Sequence, residues 1–271
     1  MNPKTDRNYL LNNQYRNASN LNARIQLHQR FSVNRYGWLR WVFDRFELPE
    51  KCLILELGCG SGVLWSENRA RIPSGWEIVL SDFSPGMLAD AHQNLGTVNH
   101  RFRFGRVDAQ VIPFVDGTFD AVIANHMLYH VPDRERAFSE VCRVLKPGGR
   151  FYAATNGRNH LRELATLSRG FDCQAYEAGI KSDAGITSSR FSLENGQAEL
   201  AQWFANVTLC RYEDALVITE VEPLMDWAAS WAKPIFGDKF SEFCAFLKVE
   251  FNQSEAIRVT KESGLFQAVK P

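Results

Sequence analysis

Apolar residues in the first half of this chain gather in short unbroken runs, and in the second half they recur mostly at helical spacing. KCLILELG (51–58), WEIVLSD (76–82), FDAVIAN (119–125) and RFYAATN (150–156) are such runs. Each suits a strand buried on both faces, as a parallel sheet requires. RFRFGRVDA (101–109) alternates Arg with Phe or Val, which predicts a strand towards the sheet edge. Helical segments separate the runs. SPGMLADAHQNL (84–95) has Ser84 as cap and Pro85 in its first turn. DRERAFSEVCRVLKPGG (133–149) has Asp133 as cap, a face of Phe138, Val141, Cys142 and Leu145, and a Pro-Gly-Gly stop. Upstream, Trp38, Leu39, Val42, Phe43 and Phe46 fall at helical spacing, with Pro49 as the stop. An earlier helix is predicted from Leu21, Ile25 and Leu27, with Asn20 as its cap. Five strands alternating with helices predict an α/β fold with a parallel sheet. In such sheets ligands bind at the carboxyl ends of strands, near the switch in strand order.

After Asn156 the alternation fades. Residues 159–171, 192–204, 222–231 and 239–251 read as helices, the second despite Gly196. VTLCRYEDALVIT (207–219) predicts two short strands around Glu213-Asp214, and AIRVTKESGLFQAVKP (256–271) a hairpin turning at Ser263-Gly264. The domain reading is an N-terminal helical cap over 1–34 and one domain over 35–271, with 220–254 as a helical insertion.

Composition narrows the class. The chain has 271 residues, 45% of them hydrophobic, enough for one sizeable core with an appendage. Its 31 basic and 31 acidic residues cancel, so the whole carries no electrostatic footprint for nucleic acid. Six cysteines, none in a C-x-x-C pair, fit reduced and mostly buried thiols. No stretch predicts a membrane span, and the polar N-terminus lacks a signal-peptide core. The expectation is a soluble, cytoplasmic protein with no nucleic-acid or membrane partner.

The chemistry centres on ILELGCGSG (54–62). Glycines at 58, 60 and 62 allow a sharp turn and close approach to a ligand. A dinucleotide fingerprint needs a small residue where Val63 stands. Glu56 would also repel a pyrophosphate, but suits a cationic group such as an ammonium. Asp82 ends the second strand and can accept two hydrogen bonds from ribose hydroxyls. Asp108, followed by Ala109, ends the third and can accept one from an adenine amino group. Three acids at successive strand ends, with a glycine loop, fit an adenosine with a cationic tail, S-adenosylmethionine (SAM).

Together ILELGCGSG, LSDFSPGML, VDAQVIPFVDGTFDAVIANHMLYHV and RVLKPGGRF resemble the class I SAM-dependent methyltransferases, in particular those acting mostly on small molecules. The resemblance runs from about residue 35 to 156. It implies a Rossmann-like sheet, mostly parallel with an antiparallel last strand, helices on both faces and helical cap elements. It implies SAM as cofactor, S-adenosylhomocysteine as product, and a small-molecule acceptor. By position, Glu56, Gly58 and Gly60 would wrap the methionine part. Asp82 would hold the ribose, with Phe83 or Met87 beside the adenine; Asp108 and Ala109 would take the next place. Asn125 would lie along the methionine by its backbone. In many such enzymes an N-terminal helix closes over the cofactor and an Arg pairs with the methionine carboxylate, which makes Arg24 and Tyr15 candidates.

His126 and His130, four apart, would share one face of a helix. They lack the Glu of an H-E-x-x-H zinc site, so no metal is expected. A general-base role stands beside simple packing over the cofactor. Cys59 reads as a small buried filler rather than a nucleophile. The later aromatics, Trp203, Trp227, Trp231, Phe236, Phe240, Phe243 and Phe246, line an acceptor pocket or form core. Three rivals stand: a tRNA or protein methyltransferase, a SAM-binding protein catalysing a non-transfer reaction, and a dinucleotide-dependent oxidoreductase, which Val63 and Glu56 oppose.

Overall fold

The computed structural model describes residues 11, 12, 15, 16, 18–96, 101–184 and 190–271. Seven strands form one sheet: β1 (Lys51–Leu57), β2 (Gly75–Asp82), β3 (Phe102–Arg106), β4 (Phe119–Asn125), β5 (Leu145–Asn156), β6 (Ala205–Ile218) and β7 (Ile257–Val269). Their order is β3-β2-β1-β4-β5-β7-β6. β3, β2, β1, β4 and β5 pair in parallel, and β7 runs antiparallel to β5. Chain order reverses between β1 and β4, so the crevice such sheets offer a ligand lies beyond the ends of these two strands.

The chain divides into two compact units. The sheet unit comprises 38–158, 191–212 and 263–271. Neighbours along its strands point to opposite faces. Leu55, Val122 and Phe151 enter one core, and Ile54, Ala121 and Tyr152 the other, all fully buried. Side chains such as Ile54 and Leu55 each contribute about 1.5–3 kcal/mol by leaving water. Helix Arg134–Val144 covers the first face through Ala137, Phe138 and Val141, and helix Pro85–Leu95 the second through Ala91 and Leu95. Both predicted caps form: Ser84 Oγ accepts from Met87 N (3.3 Å) and Asp133 Oδ1 from Arg136 N (3.0 Å). Such caps are worth about 1 kcal/mol each.

The helical unit comprises 1–37, 159–190 and 213–262, more of the chain than the N-terminal segment and 220–254. Its helices include Ser19–Phe31, Arg162–Phe171, Val221–Ala229 and Phe240–Asn252, which bury Leu27, Leu164, Leu224 and Phe243 in a separate core. Here Asp214 is the polar anchor. It accepts from Lys261 Nζ (2.6 Å), Asn34 N (3.0 Å), Ala215 N (2.8 Å) and the Ser32 hydroxyl.

Several expected boundaries differ. No hairpin turns at Ser263-Gly264, because β7 runs through them, pairing Ser263 with Asn156 and Gly264 with Thr155. Gly264 serves close packing instead: a Cβ there would lie 2.8 Å from the Cys210 carbonyl oxygen. Glu213-Asp214 does not break β6, since the Asp214 charge is met inside the protein. Helix Ser19–Phe31 starts before Asn20, with Ala18 at the cap position and no side-chain cap bond. Helix Trp38–Phe43 stops short of Pro49, because turn bonds from Arg45 and Phe46 to the Val42 and Phe43 carbonyls tighten its end. The helix expected over 192–204 shrinks to Gly196–Leu200.

Candidate active site

The loop after β1 is shaped by what it must approach. Gly58 has φ +67°, in the left-handed region, and a Cβ there would meet the Met127 Cβ at 2.7 Å. Gly60 is also left-handed, at φ +55°. The turn is fastened to the end of β2. Cys59 N donates to the Ser81 carbonyl (2.8 Å) and Gly60 N to Asp82 Oδ2 (3.0 Å). Asp82 Oδ1 accepts from Ser84 N (2.8 Å), so this acid also orders the entry to the next helix. Burial pushes its carboxyl up, while the Ser84, Gly60 and Phe83 backbone N–H groups pull it back.

Glu56 sits one residue from the end of β1, in register between Leu80 and Ile123, and only 2% exposed. Trp65 Nε1 donates to Oε2 (2.5 Å) and Asn125 Nδ2 to Oε1 (3.3 Å). Ser81 Oγ donates to the Glu56 carbonyl (2.7 Å). Burial pushes the Glu56 carboxyl up to about 7; Trp65 and Asn125 oppose this and the Asp82 charge adds to it. Asn125 Oδ1 and Ser61 Oγ are buried with no hydrogen-bond partner among the described residues. Burial also drives the Cys59 thiol well above its ordinary value, which suits a filler and not a nucleophile.

Asp108 accepts from Gln110 N (3.0 Å) and Nε2 (3.1 Å), and Gln110 Oε1 accepts from Asp133 N (3.1 Å). Ala109 and Met87 are buried. The Arg106 guanidinium lies 5.0 Å from the centre of the Phe83 ring, and its Nε donates to the Phe83 carbonyl (3.0 Å). The fold thus gathers Glu56, Gly58, Gly60, Asp82 and Asn125 around one turn. Trp65, Ser81 and Gln110 support these acids, and sequence reasoning passed over them. Ser81 carried a signal, as a polar residue within an otherwise apolar strand.

The two histidines do not share a helical face. His126 is in left-handed backbone (φ +52°), its N–H donates to the Ala154 carbonyl (3.0 Å), and its ring centre is 5.2 Å from that of Trp38. His130 ends the single 3-10 turn Leu128–His130, with its ring 4.6 Å from Tyr129. Arg24 and Tyr15 belong to the helical unit, where Arg24 Nε donates to Ser230 Oγ (3.2 Å). Trp227, Phe236 and Phe243 are core of that unit, with Trp231, Phe240 and Phe246 packed against them. Trp203 packs on the core of the sheet unit.

Residues 55–153 match a family model described as a methyltransferase domain. This segment is similar to a methyltransferase domain. It begins within β1, ends within β5, and contains Glu56, Asp82, Asp108, Asn125 and both histidines. Over 115 residues the chain is 42% identical to a demethylmenaquinone methyltransferase of Thermus thermophilus, covering 41% of this chain and 52% of that protein. Over 123 residues it is 32% identical to a ubiquinone/menaquinone biosynthesis C-methyltransferase of Idiomarina loihiensis, covering 44% and 48%. The chain therefore spans about half the length of these relatives. Among solved structures, the Haemonchus contortus phosphoethanolamine N-methyltransferase 2 with SAM is similar with a TM-score of 0.59 and 19% identity, over 98% of this chain and 60% of that one. That likeness shows the fold, a Rossmann-like, mostly parallel sheet. Among the described residues no helix is long and apolar enough to cross a membrane.

Proposed function

We propose that the protein is a SAM-dependent methyltransferase acting on a small-molecule acceptor and releasing S-adenosylhomocysteine. The observation that carries this is a pair of carboxylates, buried Glu56 and half-buried Asp82, at adjacent strand ends around one glycine turn in a segment that matches a methyltransferase-domain model. The residues present fit the cofactor. Glu56 is a buried acid held by neutral donors, and Asn125 Oδ1 is a buried acceptor with no donor among the described residues. Asp82 would take the ribose hydroxyls, Phe83 and Met87 would flank the adenine, and Asp108 with Ala109 would meet its edge. Glu56, Gly58, Gly60 and Asn125 would hold the methionine part.

SAM supplies a methyl group on a positively charged sulfur, already reactive towards a nucleophile. The protein's share is to align the acceptor and exclude water. A base is needed only where the acceptor must lose a proton, and His130 and His126 are the candidates. The names of the relatives make quinone-type ring carbons the first acceptors to try, although the similarity lies in the cofactor-holding segment. Balanced charge supports a small acceptor over RNA, and the six cysteines without a C-x-x-C pair support a cytoplasmic location.

Calorimetric titration with SAM and S-adenosylhomocysteine tests the reading, and binding should raise the melting temperature. Absence of binding by both at saturating concentration overturns it. Turnover that leaves SAM intact would favour the non-transfer alternative.

A further inference from the structure

Trp38, the first residue of the helix Trp38–Phe43, is half-buried, while the rings behind it are buried. Trp41 (8% exposed) stacks on it with ring centres 5.2 Å apart and planes at 21°. Tyr212 (2% exposed) meets both indoles edge-on, at 5.3 and 5.2 Å. Trp41 is itself pinned, because the Arg45 guanidinium lies 3.6 Å from its ring centre and donates to its carbonyl (2.8 Å). The Trp38 ring therefore has a rigid backing. Its other aromatic neighbour is His126, with ring centres 5.2 Å apart and planes tilted by 51°. His126 follows Asn125, the last residue of β4, at the switch in strand order. Contacts on three sides fix this step of the chain. His126 N donates to the Ala154 carbonyl (3.0 Å), Met127 packs where a Cβ on Gly58 would collide with it, and the Asn125 amide is tied to Glu56. His126 is thereby held in left-handed backbone (φ +52°), a conformation that persists in non-glycine residues only where the surroundings impose it. All of these residues belong to the sheet unit.

We propose that Trp38 and His126 form the acceptor wall of the methyl-transfer site, and that Trp38 is its specificity-determining residue, selecting an acceptor with a flat, conjugated ring. This rests on the methyltransferase reading above and adds to it the side chains that choose the acceptor. Two ring faces inclined at 51° make a corner, so a flat ring stacked on the indole meets the imidazole at its edge. A saturated ring of the same size is puckered and has no π-system, so it gains neither contact. A protonated amine would also be drawn to an indole face, but it has no lone pair with which to accept a methyl group. In this arrangement His126 contributes a surface rather than a base, and its strained backbone places that surface one residue from Asn125.

The test saturates the full chain with S-adenosylhomocysteine and then titrates it calorimetrically with 1-naphthol or with its fully saturated counterpart, decahydro-1-naphthol. A merely apolar surface would favour the saturated alcohol at least as much, so the direction of the preference is diagnostic. 1-Naphthol should bind about fivefold more tightly than decahydro-1-naphthol. Trp38→Leu keeps an apolar wall without a π-face. It should weaken 1-naphthol about fivefold and leave decahydro-1-naphthol and S-adenosylhomocysteine unchanged. Trp38→Phe restores a π-face and should restore most of the preference, whereas a purely structural Trp38 would move both alcohols and the melting temperature together. His126→Asn, which suits the same left-handed backbone, should reduce the preference with S-adenosylhomocysteine affinity intact. No binding of 1-naphthol, equal affinity for the two alcohols in the unmodified protein, or a preference that Trp38→Leu leaves intact overturns the inference while the cofactor reading stands. The comparison in the unmodified protein needs no variant to fold. Failure of S-adenosylhomocysteine itself to bind overturns the cofactor reading, and this inference falls with it.

Discussion

Asp214 in the helical unit and Glu56 in the sheet unit are both carboxylates taken out of water, and the fold treats them in opposite ways. Asp214 meets a lysine, a serine hydroxyl and two backbone N–H groups. Burial alone would raise its carboxyl, but the bonds from Lys261, Ser32 and Asn34 outweigh this and hold it below the ordinary carboxylate range. Glu56 meets an indole and an amide, and burial wins. A buried charge costs several kcal/mol unless it is paired. Where the chain supplies the pair, the acid is part of the scaffold. Where it withholds the pair, the proposed cofactor would be what brings the missing charge.

The largest effect that would break this contrast is on stability. Lys261→Met should leave Asp214 buried and uncompensated, costing about 3–5 kcal/mol in denaturant unfolding. Below about pH 7 Glu56 holds a proton in the ligand-free protein, so Glu56→Gln strands no buried charge and should cost far less than Lys261→Met. A Glu56→Gln protein destabilised as much as Lys261→Met would make Glu56 a scaffold acid too.

The next effect concerns rate. If His130 takes the acceptor proton, His130→Ala should slow single-turnover methyl transfer by about 10²–10⁴ while SAM affinity holds. His126→Ala is the control, since its left-handed backbone and its contact with Trp38 fit packing. Equal, small losses in both would leave catalysis to alignment. Loss of SAM binding in either would move that histidine into the cofactor pocket.

What the sequence made legible follows the same divide between local and distant causes. β1, β2 and β4 were readable because continuous apolar runs need only their own composition, and the Ser84 and Asp133 caps act within three residues. The partner that keeps Asp214 inside a strand is Lys261, 47 residues away, and so the pair Glu213-Asp214 looked like a turn. Gly264 looked like a turn because its true constraint, the Cys210 carbonyl, is just as remote. In the site, the acids and glycines announced themselves by spacing. Trp65 did not, because an indole nine residues after Glu56 reads as core until its Nε1–H is seen on the carboxylate.

A smaller effect separates Asp82 from both acids. It has backbone donors, like Asp214, yet remains raised, like Glu56. If Asp82 holds the ribose as proposed, Asp82→Ala would remove bonds each worth about 1.5–3 kcal/mol when one partner is charged. SAM affinity should therefore fall at least about tenfold by titration calorimetry. Unchanged affinity in a folded variant would reduce Asp82 to a fastener of the glycine turn.

The smallest effect is on stability against pH, and its sign distinguishes the two acids. The Glu56 carboxyl rises from an ordinary 4.5 to about 7 on folding, so in that window the folded protein holds a proton that the unfolded chain has lost. Stability contributed at Glu56 is therefore greatest below about pH 4.5 and declines as pH rises towards 7, by at most about 1.4 kcal/mol per unit. Asp214 is depressed, so its contribution is present above its ordinary value and is lost only as pH falls below it. Unfolding free energies of the ligand-free protein, Glu56→Gln and Asp214→Asn from pH 4 to 8 test both signs. The stability of the unmodified protein relative to Glu56→Gln should decline steadily as pH rises from 4.5 to 7. The difference from Asp214→Asn should stay flat across that window. A Glu56→Gln curve parallel to that of the unmodified protein would mean that Glu56 is ionised in the empty site, and that the fold meets its charge after all.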